Sequence, residues 1–243
     1  MATKLGSVVG YRSGIYNGYK VIGTQTLGLR GLVLWLKFNE GSGNIAYDSS
    51  FYNNQGTIYG ATWTDGKFGK ALSFDGVDDY VEVPLTNSLK PQSLTITAWI
   101  YPEDFSTNSA ILRTAGTNYG YFLYVGKTTK KLLFMLGNGT DSQWMSGNTA
   151  LSENQWYFVT VTYDTLTDTV KIYINGQLDA EYTYSYDTIA YTGTYLTIGS
   201  VWKQYQFWKG VIDEVRIFNR ALSENEIKML YYNKIGAVPS KAI

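Results

Sequence analysis

The side chains that could carry chemistry are restricted by composition. The chain has 243 residues and contains neither cysteine nor histidine. Disulfides, thiolate nucleophiles, the usual zinc ligands and a histidine general base are therefore excluded. A serine-type triad would lack its usual base. The chemistry that remains rests on carboxylates, lysines, tyrosines and the oxygen ligands of hard cations such as calcium.

The most distinctive cluster is an aromatic segment in the last fifth of the chain, flanked by Lys203 and Lys209. Its four rings are Trp202, Tyr205, Phe207 and Trp208. A solvent loop this apolar is typical of an interface. Three interpretations stay open: rings that stack on a sugar, a protein interface with Trp and Tyr hot spots, or a loop folded back over its own sheet. For sugar recognition, the nearby amides that could bind hydroxyls are Asn118, Gln204 and Gln206.

The elements that must position these residues are mostly strands. Runs rich in β-branched and aromatic residues alternate with Gly, Asn and Asp turns, which predicts a sandwich or barrel. The predicted strands are 31–38, 69–75, 79–83, 94–101, 109–114, 120–126, 131–136, 156–163, 169–174, 177–184, 194–199 and 209–218. Asn175-Gly176 predicts a tight hairpin turn. A capping box at Ser223 and Glu226 predicts one helix over about 223–232.

The amino-acid composition of the chain changes near residue 30. Residues 1–30 alternate glycines with short apolar pairs, which predicts an N-terminal arm. Two interpretations of this arm stay open, because it could add strands to the main sheets or dock on another subunit. Residues 31–233 form the predicted main domain, and residues 234–243 a C-terminal tail.

Several segments of the main domain resemble laminin-G-like jelly-roll domains of the concanavalin A-like lectin/glucanase superfamily. The matching segments, in the family's order, are 34–43, 48–50, 53–57, 66–81, 94–100, 156–164, 171–176 and 212–223. The resemblance implies an all-β fold, a two-sheet antiparallel β-sandwich with one short C-terminal helix. It is far less specific for function, because one fold hosts many functions.

The superfamily includes glycoside hydrolases, which use two carboxylates across the scissile bond. Hydrolases of this fold carry Glu-x-Asp-x-Glu on one strand, and this chain has no such triplet. Asp213 and Glu214 are adjacent, so we expect them to point to opposite faces of their strand. Asp78 and Asp79 share that arrangement. The sequence therefore predicts a protein that is not an enzyme.

The resemblance also raises the question of calcium, because related domains often hold this ion. An acidic site in the loop before the last strand is not expected, since residues 200–209 contain no carboxylate. A structural site would join Asp213 with backbone oxygens near residues 39–41 and with oxygens around Asp75 and Gly76, and Asp48 is a further candidate ligand. The alternative is that Asp75 and Asp48 are turn residues bonded to local amides, and that Asp213 pairs with Arg216 or Lys37.

Charge and segment composition limit the partners. With 20 basic and 20 acidic residues, the net charge is zero, which argues against nucleic acid. The longest apolar run, 32–36, is too short for membrane insertion, and residues 1–30 lack a secretory apolar core. We expect a non-catalytic carbohydrate-binding or adhesive module. The alternative is a homo-oligomer or assembly subunit, such as a virion coat or appendage protein. Its partner would be a glycan or a protein, and its place extracellular or on a particle surface.

Overall fold

Strand pairing is antiparallel wherever the structure describes it, as alternating strands with short turns predict. The computed structural model describes residues 14–16, 19–21, 29–107 and 109–232. Most of the predicted arm and all of the predicted tail lie outside these residues. Within the arm, β1 (Gly14–Tyr16) and β2 (Tyr19–Val21) form a two-stranded hairpin. Of the predicted arm, the structure describes only residues 14–16, 19–21, 29 and 30, and the arm stays a prediction.

The first large sheet, sheet I, has β18 (Lys209–Phe218) near its centre. From one edge, its order is β16 (Gln177–Thr183), β15 (Thr169–Ile174), β14 (Tyr157–Asp164), β9 (Leu94–Pro102), β18, β7 (Lys70–Asp75) and β6 (Thr62–Asp65). A further strand, β3 (Leu32–Leu36), pairs with the second half of β18. The first half of β18 pairs with β7, so two strands share one edge of β18.

The second large sheet, sheet II, carries the candidate site. Its order is β13 (Ser142–Ala150), β12 (Lys131–Asn138), β11 (Tyr119–Val125), β10 (Ser109–Thr114), β17 (Tyr195–Ile198), β8 (Tyr80–Pro84), β5 (Gly56–Tyr59) and β4 (Ile45–Ala46). A short 3₁₀ helix spans Asn87–Leu89. The two sheets pack face to face as a β-sandwich, which confirms the predicted fold class.

The main core lies between the sheets. Leu34 and Leu72 of sheet I, and Phe134 of sheet II, are buried there. Each such side chain contributes about 1.5–3 kcal/mol when it leaves water. Successive strand residues point to opposite faces, so every second residue faces this core. The residues between them form the outer faces, which are the surfaces available for function.

The only α-helix in the described residues, α1 (Glu224–Tyr231), covers part of the outer face of sheet I. The Ser223 hydroxyl accepts from the Glu226 amide, and the Glu226 carboxylate accepts from the Ser223 amide, so the predicted capping box is confirmed. Ile227 and Leu230 are buried against Trp99 and Phe158. This helix closes a second, smaller core outside the sandwich.

Most predicted strands are confirmed, with ends shifted by one or two residues. The Asn175-Gly176 turn is also confirmed, because both residues have positive φ, 52° and 76°. The strands that prediction missed are β4, β5, β6 and β13. β4–β6 are short, and β13 is a polar edge strand whose sequence, SQWMSGNTA, lacks apolar alternation. Such strands are stabilised by pairing with their neighbours, which local sequence does not report.

Candidate ligand-binding site

The aromatic segment forms a loop between β17 and β18 that folds onto the outer face of sheet II. It is closed by hydrogen bonds from the Val201 amide to the Tyr205 carbonyl (2.8 Å) and from the Trp208 amide to the Gly199 carbonyl (2.8 Å). The Gln206 carbonyl accepts from the Ala110 amide at 2.9 Å, which ties the loop to β10. We call residues 200–208 the aromatic loop.

The aromatic loop has an unusual backbone. Trp202, Lys203 and Gln206 all have positive φ, at 52°, 64° and 51°. For side chains larger than glycine this conformation costs roughly 1–2 kcal/mol per residue. Strain of this kind is often found at functional sites, where the surrounding structure maintains it.

The four predicted rings of the loop take different positions. Trp208 is fully buried in the main core, so it is a core residue and not a ligand contact. This corrects its prediction as a binding residue. Trp202 and Phe207 are half-buried, whereas Tyr205 is 57% exposed. The third interpretation of the segment, a loop folded over its own sheet, describes Trp208 correctly, while Tyr205 still faces solvent.

The three predicted amides also lie in different places. Asn118 joins two turns, because its Nδ2 donates to the Thr140 carbonyl (2.8 Å) and its Oδ1 accepts from the Ser142 hydroxyl (3.3 Å). Its hydrogen-bonding groups are thus used away from the aromatic loop. Gln204 is exposed at the tip of the loop, and Gln206 is half-buried. The structure therefore keeps Gln204 and Gln206 beside the rings but does not bring Asn118 to them.

Next to the loop lies an aromatic platform that sequence reasoning missed, formed by Phe122, Tyr124 and Trp144. Phe122 and Tyr124 stack with ring centroids 4.6 Å apart. Trp144 meets their edges at 6.0 and 5.8 Å, and 48% of its surface is exposed. We call these three residues the platform. Phe122 itself is only 2% exposed, so the Trp144 ring, supported by Phe122 and the half-buried Tyr124, is the surface that can contact the apolar face of a ligand.

The strand register explains why these rings meet. Trp144 pairs with Met135, Met135 with Phe122, and Phe122 with Arg113, so one row crosses four strands on the outer face. In β11 both faces are apolar, since Tyr121, Leu123 and Val125 face the core. Alternation in the sequence therefore could not show which rings face outwards, although the density of rings in 119–124 was a usable signal.

Arg113 connects the platform to the aromatic loop. Its guanidinium lies 4.5 Å from the Phe122 ring on one side and 4.5 Å from the Trp202 ring on the other. Cation–π contacts of this kind contribute roughly 0.5–2 kcal/mol each, more when they are removed from water. The Trp202 side chain is thus held over β10 by stacking on Arg113.

The far end of the same face carries a second group of rings and charges. Tyr59 and Tyr80 stack at 4.7 Å. Lys203 of the aromatic loop forms an ion pair with Glu82 (2.5 Å) and lies 4.2 Å from the Tyr195 ring. The hydrogen bond to Glu82 raises the pKa of Lys203. The loop is therefore anchored to β8 by charge and to β10 by stacking.

The three acids predicted as calcium ligands are not brought together. Asp48 is a turn residue, because Oδ1 accepts from the amides of Trp35 and Ser50 and Oδ2 accepts from Asn54, all at 2.8 Å. Asp75 faces Lys209 in the β7–β18 register, whereas Ile212 faces Leu72, which puts Asp213 about four residues, or about 13 Å, along the ladder. A shared ion would need a far shorter separation.

Asp75 instead belongs to a group with Asp78 and Asp79 at the β7–β8 turn. Single oxygens of these three carboxylates lie within 4.8 Å of one another. Asp79 also accepts from the Asp75 amide (2.8 Å), and Asp75 from the Val77 amide (2.7 Å). These are the local amide bonds expected of turn residues, so the alternative interpretation describes Asp75 and Asp48.

Asp213 is the acid that fits a buried cation best. It is fully buried, Oδ2 accepts from the Phe68 amide (3.0 Å), and Oδ1 has no hydrogen-bond partner within the described residues. Burial raises the pKa of Asp213 to about 7. A side chain at Gly66 would place its Cβ 2.7 Å from Oδ2, so glycine is required where this turn wraps the carboxylate.

The expected orientation of Asp213 and Glu214 is wrong. Glu214 has a φ of 54°, and the ladder shifts register between residues 213 and 216. This bulge breaks the alternation of side chains. Asp213 turns to the Phe68 amide and Glu214 to the Trp35 indole (2.7 Å), both on the outer side of sheet I. Both are buried, and Glu214 is paired with Arg216, so neither is presented to a substrate.

Comparison with known proteins agrees with this geometry. A family model described as the concanavalin A-like lectin/glucanases superfamily matches residues 75–228. The chain belongs to this superfamily. No curated protein matches the sequence.

Solved structures with a similar fold include the binding domains of toxins. The binding domain of Paraclostridial mosquitocidal protein 1 is similar with a TM-score of 0.69 and 16% identity, over 84% of this chain and 52% of that chain. A structure of botulinum neurotoxin type C, a toxin whose cell entry depends on interaction with two ganglioside molecules, is similar with a TM-score of 0.67 and 19% identity. The match covers 84% of this chain and 51% of that chain. This chain thus spans about half the length of these toxin domains.

A shorter relative is covered almost completely. Domain 4 of AbnA, an extracellular GH43 arabinanase from Geobacillus stearothermophilus in complex with arabinotriose, has a TM-score of 0.66 and 22% identity, over 82% of this chain and 98% of that domain. At these identities the likeness shows the fold alone. Among the described residues, no helix is both long and apolar enough to cross a membrane.

Proposed function

We propose that this protein is a non-catalytic carbohydrate-binding module whose site is the outer face of sheet II. The observation that carries the proposal is the platform, where Trp144 is 48% exposed and braced edge-on by Phe122 and Tyr124. Large exposed apolar surface at a defined place marks an interaction site. A pyranose ring, with an apolar C–H face and hydroxyls around its rim, matches this surface.

The aromatic loop supplies the polar partners for such a ligand. Tyr205 and Gln204 are exposed at its tip, and the Gln206 Oε1 atom is buried without a hydrogen-bond partner among the described residues. Rings that bind an apolar face, together with a few polar groups that select orientation, are the usual composition of a small-ligand site. The relatives with arabinotriose and gangliosides in their descriptions are consistent with this class of ligand.

Affinity electrophoresis against a broad panel of polysaccharides tests the proposal. We expect Trp144→Ala to weaken the binding of any retained glycan by about 2 kcal/mol, roughly 30-fold, as for a central aromatic contact. Phe51→Ala is the matched control, since Phe51 is 78% exposed but lies in the 47–52 loop. Intact protein that binds nothing on the panel, or equal losses in both variants, would contradict the proposal.

We also propose that the site binds without hydrolysis. Glu82 is the carboxylate nearest to the loop in the strand register, and it is occupied by Lys203 at 2.5 Å. Glycoside hydrolysis needs a second carboxylate about 5–10 Å away on the other side of the bond. Incubation of the protein with each bound glycan should release no new reducing ends, and release of new ends would contradict this proposal.

A structural calcium ion is a second, separate proposal, with Asp213 as its only side-chain ligand from the predicted set. The buried Oδ1 atom without a partner supports it. Calcium would supply charge compensation for this carboxylate and tie the Gly66 turn to β18. Melting curves with and without EGTA test the ion, and an unchanged midpoint would contradict it.

The assembly alternative is supported by a different surface. Tyr47, Phe51 and Tyr52 are 59%, 78% and 50% exposed in one loop that Asp48 holds by its hydrogen bonds. We infer that a protein partner or a second copy would dock there, outside the cell or on a particle. Sizing of the full chain against Phe51→Ser tests self-association, and a monomer in both cases argues against it.

A further inference from the structure

Arg113 is a buried cation without a counter-charge. Only 6% of its surface is exposed. Its Nη2 donates to the carbonyls of Gly116 (3.1 Å) and Thr117 (3.5 Å). Within 29–107 and 109–232, none of the ion pairs includes Arg113. Burial lowers the pKa of Arg113 to about 10, and no carboxylate opposes this shift.

Such an arrangement is costly unless something else meets the charge. A buried ion is normally paired, because its desolvation is not offset otherwise. The two rings, Phe122 and Trp202, compensate only in part, since they contact the guanidinium through their π faces and accept none of its in-plane N–H groups. The Nε atom of Arg113 has no hydrogen-bond partner among the described residues.

The loop that covers Arg113 also contains buried polar atoms without partners. Among the described residues these are atoms of Ser200, Trp202 and Gln206, besides Trp208, whose indole lies in the main core. Trp202 offers an indole N–H and Ser200 a hydroxyl, both within the loop that covers Arg113. In native proteins each unsatisfied buried group calls for an explanation. The Nε–H of Arg113 and the indole N–H of Trp202, whose ring lies 4.5 Å from the guanidinium, are two unpaired donors beside a cation and fit an anionic acceptor.

We propose that Arg113 binds the acidic group of a carboxylated sugar, so that the preferred ligand of this face is an acidic glycan such as a polyuronate. This inference rests on the proposed carbohydrate-binding function and names its ligand class. A planar guanidinium matches a carboxylate in two parallel hydrogen bonds. The neighbouring platform would hold the sugar ring while Arg113 binds its charge.

Access to Arg113 requires Trp202 to move from its face. The loop is suited to this change, because Trp202, Lys203 and Gln206 already occupy left-handed backbone conformations at φ of 52°, 64° and 51°. A shift of the loop would relieve that strain, and it would leave the Trp202 ring free to stack on the bound sugar. Trp202 thus covers the cation in the free protein and contacts the ligand in the complex.

The test compares two ligands that differ only in charge, polygalacturonate and its fully methyl-esterified form. We expect the parent protein to bind polygalacturonate about 10- to 100-fold more tightly, the range for a hydrogen-bonded charged group. Arg113→Met keeps an unbranched side chain between Phe122 and Trp202 and should abolish this preference. Binding of the esterified polymer should fall far less in the variant than binding of polygalacturonate.

Two further variants separate a specific site from general attraction to a polyanion. Lys209→Gln removes an exposed lysine beside the loop and should reduce polygalacturonate binding only slightly. Arg113→Lys retains the charge without the planar pair of donors and should restore part of the preference. Intrinsic fluorescence should change on binding in the parent but far less in Trp202→Phe.

The outcomes distinguish this inference from the proposed function. If neutral glycans bind the platform and Arg113→Met has no effect on any ligand, the acidic-glycan inference is overturned while the binding function stands. Loss of affinity in Lys209→Gln equal to that in Arg113→Met also overturns it. Dextran sulfate is compared with dextran in the same way, and a preference for the sulfated polymer without a preference for polygalacturonate would overturn the carboxylate assignment. If no glycan binds, both the acidic-glycan inference and the proposed binding function are contradicted.

Discussion

The two outer faces of the sandwich each bury an arginine among aromatic rings, and they treat its charge in opposite ways. On sheet I, Arg216 lies 4.5 Å from the Trp35 ring and forms an ion pair with Glu214, which also accepts from the Trp35 indole at 2.7 Å. On sheet II, Arg113 lies between two rings and has no ion pair among the described residues.

This difference separates a structural face from a binding face. The rings of sheet I are covered by α1, which packs Ile227 and Leu230 onto Trp99 and Phe158. The platform of sheet II is covered only at its edge, by a loop with three strained residues. At its arginine, sheet I is closed and charge-balanced without a ligand, whereas the open face of sheet II retains an unmet charge and exposed rings.

The largest expected effect is on the free energy of unfolding, through the Glu214–Arg216 ion pair of sheet I. Glu214→Gln removes the anion from a buried pair and leaves Arg216 uncompensated, which should lower the free energy of unfolding by about 3–5 kcal/mol. Urea denaturation measures this change in the free energy of unfolding. Arg113→Met is the matched variant and should change the free energy of unfolding by less than about 1 kcal/mol, because no ion pair is lost. Equal losses in both variants would remove the distinction between the two arginines.

Asp213→Asn asks whether sheet I is completed by an ion. In EGTA the variant should be more stable than the parent by about 1–3 kcal/mol, since a buried carboxylate without a cation is replaced by a neutral amide. In millimolar calcium the order should reverse if the ion binds, because only the parent gains stability from it. Thermal melting in both buffers measures the two differences, and a difference insensitive to calcium would argue against the ion.

Glu226→Gln tests the anchoring of the helix that covers sheet I. Arg220, as the main cause, and the Ser223 amide lower the pKa of Glu226 to about 2. A lowered folded-state pKa stabilises the protein above the unfolded value near 4.5, and the contribution is lost as the pH falls towards 2. After screening, we expect a loss of about 1–2 kcal/mol at pH 7 that disappears near pH 2. A loss independent of pH would assign the effect to packing instead.

The smallest expected effect is on the open face. Trp144→Ala should change the free energy of unfolding by no more than about 1 kcal/mol, because Trp144 lies on an edge strand and is 48% exposed. The same variant is expected to lose glycan affinity, so stability and binding should separate. A large loss of stability would identify the platform as a second core and weaken its role as a site.

The fold could be predicted because its signals are local and repeated. Strand alternation, the Asn175-Gly176 turn and the Ser223 capping box each depend on neighbouring residues, and each is confirmed. The site could be predicted only in part. The aromatic loop was recognised from its composition, but Trp208 proved to be core, and Arg113 and Trp144 were missed because cross-strand register brings them together.

Residue types and short spacings were therefore sufficient to predict a sandwich or barrel, the helix and the exclusion of histidine and cysteine chemistry, and the family resemblance narrowed the fold to the two-sheet sandwich. Packing between distant segments specified the rest: which face of β11 meets solvent, which arginine has a counter-charge, and how the Glu214 bulge turns two adjacent acids. The physical reason is that burial and charge compensation depend on neighbours across strands, up to 179 positions apart for Trp35 and Glu214. Local sequence patterns indicate the preferred backbone conformation, whereas only the packed sheets determine which groups each side chain contacts.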